Sequence, residues 1–487
     1  MELIRLLSQV RYEVIQGTVH TRVEGVTNDT RDLRRGDAYV CIEGYGTDGH
    51  RFVPEAVEKG AAAIVASKEI ACPPGVTVIR VADTRWALAA MSAAACGYPA
   101  EHLRVIGITG TKGKTTTAWM LRDILAREEG ACGLIGTIET DTGLRRFPST
   151  HTTPESCQLM AYFQEMRGTG LTSAVMEVSS QALKLERTAC VPFCMGIFTN
   201  LGEDHIGPGE HASPEEYRWC KHLLFLQCET GLGNVDDPCY GEIFDRTGCR
   251  KVTFGTEEGA DWRAVRIKEE TRDGRSGMSF GIEGREGGFF IPLPGRYNVY
   301  NALAAAAAAF ELGIREETVR KALSRVRVPG RMEQISCAGG RTIFLDYAHN
   351  AMSLSCALDT LRGFVKSRLI VLFGCGGNRS RQRRYEMGET AGRMADETVI
   401  TSDNPREERP EDIIADIVEG MRRTEGFYTV IPDRREAIRY AVDRSGRGDV
   451  VLIAGKGHET YQEIQGVRYP MDDREIILEA LRGEKDR

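Results

Sequence analysis

The residues best equipped for chemistry form one short stretch, Gly107-Ile108-Thr109-Gly110-Thr111-Lys112-Gly113-Lys114-Thr115, followed by Thr116. Glycines at this spacing let backbone N–H groups curl around a phosphate at the start of a helix. Lys114 supplies a point charge for the outer phosphates of a nucleotide, and Thr115 a hydroxyl suited to Mg²⁺. Ile108 stands where the usual G-x-x-x-x-G-K-[ST] pattern has its first glycine, so the match is to the G-T-x-G-K-T form. The bland alternative is a structural glycine turn with a surface lysine. An apolar run before the loop and a helical pattern over 116–126 after it favour the phosphate reading.

Moving phosphoryl groups needs more cationic help than one lysine gives, because negative charge builds on the oxygens in flight. Glu177 closes the run Ser173-Ala174-Val175-Met176-Glu177, which places a carboxylate at a strand tip next to Ser179 and Ser180. His205 follows the run Gly196-Ile197-Phe198-Thr199. Each by itself also suits a plain structural role, as a helix-cap partner or a satisfied polar group. Further along, Asp403-Asn404-Pro405-Arg406 follows the apolar run 398–401, and its proline holds the turn before the arginine. The run 379–384 holds four arginines, which alone reads as a solvated face.

These residues need a scaffold. Apolar, β-branched runs at 105–108, 174–178, 196–199, 343–345, 369–373, 398–401 and 450–454 alternate with helical patterns, including 215–226, 316–326 and the alanine run 302–309. Such alternation is the signature of βαβ units around parallel sheets, so the expected fold class is α/β. Ligands of such sheets collect at the carboxyl ends of the strands, where several of these runs place Gly, Asp, Glu, Asn or His. Breaks near Gly97–Pro99 and Pro329–Gly330 divide the chain into expected domains 1–98, 99–329 and 330–487. The opening residues 1–14 alternate apolar and charged positions at helical spacing and show no signal-peptide pattern.

The chain has 487 residues, with 63 basic against 70 acidic and a net charge of −7. That balance argues against a nucleic-acid partner, because polyanion binders carry a basic excess. The longest apolar run, 302–310, is far short of a membrane span. The 14 cysteines include no C-x-x-C, so buried free thiols in a reducing cytoplasm are expected rather than zinc modules or a disulfide scaffold.

Together the motifs resemble the Mur ligase family, ATP-dependent amide-forming enzymes of peptidoglycan synthesis. The resemblance runs through the phosphate loop, His151-Thr152-Thr153-Pro154, Glu177-Val178-Ser179-Ser180, Asn200…Asp204-His205 and Tyr217-Arg218-Trp219-Cys220-Lys221. It continues through Gly295…Asn301, Gly330-Arg331-Met332-Glu333, Asp346-Tyr347-Ala348-His349-Asn350 and Gly455-Lys456-Gly457-His458-Glu459. The N-terminal Asn28-Asp29-Thr30-Arg31 and Asp48-Gly49-His50 resemble the branch that adds the third amino acid of the stem peptide.

The resemblance implies three domains, with a phosphate-loop ATPase domain at the centre and a Rossmann-like domain at the C-terminus. It implies that Gly110, Thr111, Gly113, Lys114, Thr115 and Thr116, with Asn301, Arg331, Asp346 and His349, hold ATP. Thr115, Glu177 and His205 would hold Mg²⁺. Lys221 matches a lysine that is carbamylated in relatives, which would turn a cation into an anion. Thr30, Thr152, Thr153, Ser179 and Arg187 would contact UDP-N-acetylmuramoyl-L-alanyl-D-glutamate, whose carboxylate is activated as an acyl phosphate. Arg379, Asp403, Asn404, Arg406, Gly455 and Glu459 would bind the incoming diamino acid. D-N-P-R resembles the form that takes meso-diaminopimelate, whose distal carboxylate Arg406 would read. L-lysine or another acceptor, or a non-catalytic ATP-binding paralogue, are the alternatives. A cytoplasmic monomer without membrane or nucleic-acid partners is expected. The sequence departs from common family patterns at Ile206…His211, Leu185, Asn350-Ala351-Met352 and Gly377-Asn378-Arg379-Ser380.

Overall fold

The computed structural model describes every residue except 45, 203–205, 208–209, 337 and 484–487. The chain forms two compact units, residues 1–263 with 303–319, and residues 264–302 with 320–487.

The first unit begins with a five-stranded sheet in the order Tyr12–Gln16, Thr77–Val81, Ala63–Ala66, Ala38–Val40, Val26–Thr27; only the first strand is antiparallel to its neighbour. Successive side chains of a strand point to opposite faces. Ala38, Val40, Ala63 and Val65 therefore pack with the helix Thr84–Ala95 and with Leu3, Leu6 and Leu7. Tyr39, Cys41, Ile64 and Ala66 build the core on the other face with Val53 and Ala56. The helical spacing expected through residue 14 ends early: Leu3–Leu6 is a single turn, and Tyr12–Gln16 is an edge strand. The reason is pairing, since Tyr12, Glu13 and Val14 are in register with Val81, Arg80 and Ile79.

The same unit carries a second sheet, in which six parallel strands run in the order Arg250–Gly255, Cys228–Asn234, Phe193–Phe198, Arg104–Thr109, Ser173–Glu177, Gly133–Ile135. Two short antiparallel strands, Glu139–Asp141 and Arg146–Pro148, extend its edge. Arg104–Thr109 lies inside this sheet, and Val105, Ile106 and Ile108 are wholly buried, which fits a near-continuous apolar run.

The second unit, from Ala264 onward, contains an antiparallel meander, with Arg275–Ile282 between the greater part of the strand Trp262–Arg272 and Phe289–Ile291. Its main sheet has the order Glu333–Ser336, Thr342–Asp346, Val450–Ala454, Leu369–Phe373, Glu397–Ile400, Tyr428–Val430. Every neighbouring pair after the first is parallel. Leu369, Val371 and Phe373 face a core that includes Leu358 of Ala351–Arg362, Met387 of Arg381–Met394 and Ile417 of Pro410–Met421. Ile370 and Leu372 face the opposite core, with Ile438 of Arg434–Arg444 and Ile476 of Asp473–Gly483. The unit is thus a doubly wound α/β sheet, and the expected fold class holds.

Seven strands and the helices after 116, 215, 302 and 316 stand where the patterns placed them, within a few residues. The cysteines need a correction. The thirteen described ones are free thiols, but only Cys41, Cys132, Cys220 and Cys375 are fully buried. Eight of the others are half-buried, most of them packed against the edge of a core, and Cys356 is exposed. No described helix is long and apolar enough to cross a membrane.

Candidate active site

In the first unit, Arg104–Thr109 lies between Ser173–Glu177 and Phe193–Phe198, with Glu177 in register with Ile108 and Phe198 with Thr109. Three parallel strands thus end together, and the residues that follow them share one edge. Gly110 has φ +151°, and a Cβ there would run into the Thr199 hydroxyl. That hydroxyl donates to the Lys112 carbonyl at 2.7 Å. Asn200 fixes the same residue through both of its peptide groups, accepting from Lys112 N at 2.9 Å and donating to Lys112 O at 3.0 Å. The helix Lys114–Glu129 starts after Gly113, which has φ +87° and provides no side-chain cap. The start of an α-helix, with N–H groups that have no partner within the helix, is the geometry that suits an anion. Lys114 Nζ folds back to donate to the carbonyls of Gly110 (2.8 Å) and Thr111 (3.2 Å). Thr115 and Thr116 are both buried at the start of this helix.

Glu177 is 1% exposed and is the hub of the unit's polar network. Its Oε2 accepts from Thr115 Oγ1 at 2.8 Å and Thr137 Oγ1 at 3.0 Å, and its Oε1 accepts from Thr137 N at 2.7 Å. The Thr137 hydroxyl also pairs with that of Thr152 at 3.0 Å. Thr153 Oγ1 donates to the Glu177 carbonyl at 2.9 Å and accepts from Ser179 N at 3.1 Å. Ser179 Oγ caps the helix Ser180–Lys184 by accepting from Ala182 N. Arg187 donates to the Thr153 carbonyl at 3.0 Å and pairs with Glu155 at 2.5 Å. The structure thus gathers Thr115, Thr152, Thr153, Glu177, Ser179 and Arg187 around one loop. Thr30 is buried in the Asp29-Thr30-Arg31 turn, where its carbonyl accepts from Lys59 Nζ at 2.8 Å. Two residues away, Asn28 Oδ1 accepts from Cys157 Sγ at 3.4 Å, so this turn lies beside the helix Ser156–Gly168.

Lys221 is not a surface lysine. It lies on Pro214–His222, is 1% exposed, and donates from Nζ to the Gly110 carbonyl at 3.0 Å. The ammonium sits 4.3 Å from the centroid of the Tyr217 ring, and Tyr217 OH shares a 3.0 Å bond with Thr111 Oγ1. His205 lies outside the described residues, so the expected ligand set is described here only through Thr115 and Glu177. Two buried hydroxyl- and carboxylate-bearing side chains in contact are a hard-oxygen donor set, which fits Mg²⁺.

In the second unit, a cleft of about 620 Å³, open mouth included, is lined by the turns after four adjacent strands: Tyr347 and His349, 374–376 with Arg379, Asp403, Asn404 and Arg406, and Gly455 with Glu459. Asn404 is locked in place: its Nδ2 donates to Glu459 Oε2 at 2.8 Å and its Oδ1 accepts from the buried Lys456 Nζ at 3.0 Å. Tyr347 OH donates to Glu459 Oε1 at 3.3 Å. Burial pushes the Tyr347 phenol up to about 12, so it stays protonated and able to donate. Arg406 NH1 donates to the Gly377 carbonyl at 2.6 Å. Within the 379–384 run, Arg379 and Arg381 are exposed, but Arg384 is 2% exposed, against the expected solvated face. It pairs with Glu408 at 2.7 Å and Asp416 at 3.0 Å, and these carboxylates draw it inward. The Glu408 carboxyl is held below its ordinary range, foremost by Arg384, and also accepts from Asn378 N at 2.5 Å. Arg384 thereby ties the turn carrying Arg379 to the segment after Arg406.

Near this cleft, the Arg331 guanidinium lies 4.7 Å from the Tyr347 ring centroid, and the His349 ring packs on the same tyrosine at 4.9 Å. Asp346 accepts from the N–H groups of Met332 (2.7 Å) and Ala348 (2.8 Å), and burial raises its carboxyl above the ordinary value. Asn301 is buried and donates to Asn298 Oδ1 at 3.1 Å. Sequence reasoning gave no role to Thr137, quoted Tyr217 and Tyr347 only as members of their motifs, and read Arg384 as solvated. Thr137 follows the strand Gly133–Ile135, so its strand-tip position was a usable signal. The bonds of Tyr217 to Thr111, of Tyr347 to Glu459 and of Arg384 to Glu408 and Asp416 join residues distant in sequence, which short spacing does not show.

Three known family models match the chain: the Mur ligase family catalytic domain at residues 22–95, the Mur ligase middle domain at 108–309, and the Mur ligase glutamate ligase domain at 330–457. The chain belongs to the Mur ligase family, and it is an ATP-dependent ligase. It is 39% identical to the UDP-N-acetylmuramoyl-L-alanyl-D-glutamate–2,6-diaminopimelate ligase of Clostridium perfringens, over 99% of this chain and 100% of that protein. It is 40% identical to the ligase of the same name from Caldanaerobacter subterraneus subsp. tengcongensis, over 99% of each. A solved structure of a protein bearing that ligase name has a TM-score of 0.71 at 28% identity, covering 100% of this chain and 99% of its own.

Proposed function

We propose that this ligase adds meso-diaminopimelate to UDP-N-acetylmuramoyl-L-alanyl-D-glutamate at the expense of ATP, forming the third bond of the peptidoglycan stem peptide in the cytoplasm. The observation that carries the chemistry is the buried Glu177 carboxylate bonded to Thr115 at the head of the phosphate loop, with Lys114 and Lys221 on the loop's own carbonyls. The full-length similarity to ligases named for these substrates supports the choice of substrate.

In this reading the loop N–H groups and Lys114 bind the nucleotide phosphates, and Thr115 and Glu177 hold Mg²⁺, with His205 as a further ligand. Bound Mg²⁺ supplies charge neutralisation between the nucleotide and a substrate carboxylate, which would otherwise repel each other. Lys221, carried as a carbamate, offers an anion beside the loop where the ammonium now sits. Thr30, Thr152, Thr153, Ser179 and Arg187 orient the muramoyl peptide, whose carboxylate is activated as an acyl phosphate. Asn301, Arg331, Asp346 and His349 contact the nucleotide.

The acceptor binds in the cleft of the second unit. A diamino acid with two carboxylates presents both signs of charge, and the cleft lining does the same, with Arg379 and Arg406 against Asp403 and Glu459. Gly455 and Asn404 complete the set. Arg406 reads the distal carboxylate through its planar fork. The division at 98 and 329, and a monomeric state, belong to the same proposal.

The test is phosphate release from ATP with the UDP-muramoyl dipeptide and either meso-diaminopimelate or L-lysine, each product checked by mass. Turnover with diaminopimelate supports the reading. Turnover with lysine alone keeps the ligase chemistry and overturns the role given to Arg406. No turnover with either overturns the substrate assignment.

A further inference from the structure

Arg406 is held by a hairpin that the acceptor motif does not include. The strands Tyr461–Ile464 and Val467–Pro470 pair antiparallel, and Arg406 bridges to Ile464. Arg406 N donates to the Glu463 carbonyl at 3.0 Å, and Gln465 N donates to the Arg406 carbonyl at 2.7 Å. These two bonds hold Arg406 at φ +54°, a left-handed conformation that an arginine adopts only when its surroundings enforce it. The Glu463 N–H donates to Asn404 Oδ1 at 2.9 Å, so the hairpin braces the main chain of Arg406 and the side chain of Asn404.

The same hairpin brings a charge. Glu463 Oε2 lies 3.7 Å from Arg406 Nε, and the two side chains are 26% and 29% exposed. This is longer than a hydrogen bond, so Glu463 acts on Arg406 through its field rather than as a directional partner. We propose that Glu463 is a specificity-determining residue: a resident counter-charge that sets how strongly Arg406 favours an acceptor with a distal carboxylate over one without. The inference rests on the reading of this cleft as the acceptor site.

A carboxylate approaching Arg406 meets attraction from the guanidinium and repulsion from Glu463. The ammonium tail of lysine meets the reverse, because Glu463 offsets its repulsion by Arg406. Glu463 therefore narrows the difference between the two acceptors from both sides. Partly exposed pairs at this distance contribute modestly, which corresponds to at most about a five-fold change for each acceptor. The backbone clamp uses the main chain of residue 463, so it survives a change of side chain, and charge can be altered with Arg406 still held.

The experiment compares full-length wild type, Glu463→Gln and Glu463→Lys, with ATP and UDP-muramoyl dipeptide saturating and meso-diaminopimelate or L-lysine varied. The expected result is a KM for diaminopimelate that falls up to about five-fold in E463Q and further in E463K. The diaminopimelate-to-lysine ratio of kcat/KM rises in the same order, while the KM for ATP stays constant. A ratio that is flat or falls along this series, in enzymes that still form the diaminopimelate product, overturns the inference alone. Wild-type enzyme that forms product with neither amino acid overturns the acceptor reading and this inference with it.

Discussion

The most severe single-residue perturbation in the second unit is expected at Asp473. Arg434 and Asp473 are both wholly buried, on the helices Arg434–Arg444 and Asp473–Gly483. Arg434 Nε donates to both carboxylate oxygens at 3.0 and 3.2 Å, and NH2 donates to Oδ2 at 2.6 Å. The remaining donors reach the Ser402 carbonyl at 3.2 Å and the Ala454 carbonyl at 2.9 Å. Those carbonyls immediately precede Asp403 and Gly455, so the pair also sets the spacing of two acceptor turns. Asp473→Ala leaves a buried guanidinium without its anion, a change that costs about 3–5 kcal/mol. For a cooperative unit of this size, that is roughly 6–20 °C in melting temperature. Removing both charges with Arg434→Met and Asp473→Leu should recover most of the loss, because neither ion is then stranded. Scanning calorimetry of the three proteins measures the stability effect. The KM for the acceptor in the double variant measures the spacing effect, and it should rise because the carbonyls of 402 and 454 lose their common donor. An Asp473→Ala protein that melts like wild type, or a double variant no more stable than the single one, refutes the reasoning.

Glu177→Gln replaces an all-acceptor group with one that must aim an amide N–H₂ at Thr137 N or at the two hydroxyls. Its kcat should fall on the order of 10²-fold or more with little change in melting temperature, and a kcat within three-fold of wild type would count against the metal-holding role. Lys221→Ala should sharply reduce ligase turnover, measured by product mass; wild-type rates would remove the carbamate role. Burial, aided by Arg331 and Lys456, lowers the His458 imidazole to about 3, well under its ordinary 6.5. The unfolded chain therefore binds a proton between those values that the folded one does not, and stability is lost as pH falls from about 6.5 towards 3. His458→Gln should flatten that loss, and urea unfolding at pH 7 and pH 4.5 would reveal it; an equal loss in both proteins would show that another group governs it.

Much of the molecule was legible because local rules act within a few residues. The strand Leu369–Phe373 was readable as a run of five apolar residues, since a parallel strand covered on both faces has no polar side to show. The phosphate loop was readable because only glycine tolerates the backbone at Gly110 and Gly113. The edge strand Tyr12–Gln16 was not, because a strand exposed on both faces has no buried side to impose a period-two pattern, and its mixed residues also fit a helix. Arg384 looked like part of a solvated run because its partners, Glu408 and Asp416, lie 24 and 32 residues away.

The sequence by itself determined the α/β class, the order of the strands along the chain and the residues that could bind phosphate, metal and amino acid, since each depends on residue type and short spacing. The tertiary structure alone decided which of them meet. It set Glu177 against Thr115 and Thr137, buried Lys221 beneath the Gly110 carbonyl, and placed Glu463 beside Arg406. Those pairings span between 40 and 111 residues of chain; parallel strands that bring their carboxyl ends to one edge of a sheet make those of Glu177 and Lys221, and an antiparallel hairpin packed on the acceptor turn makes that of Glu463.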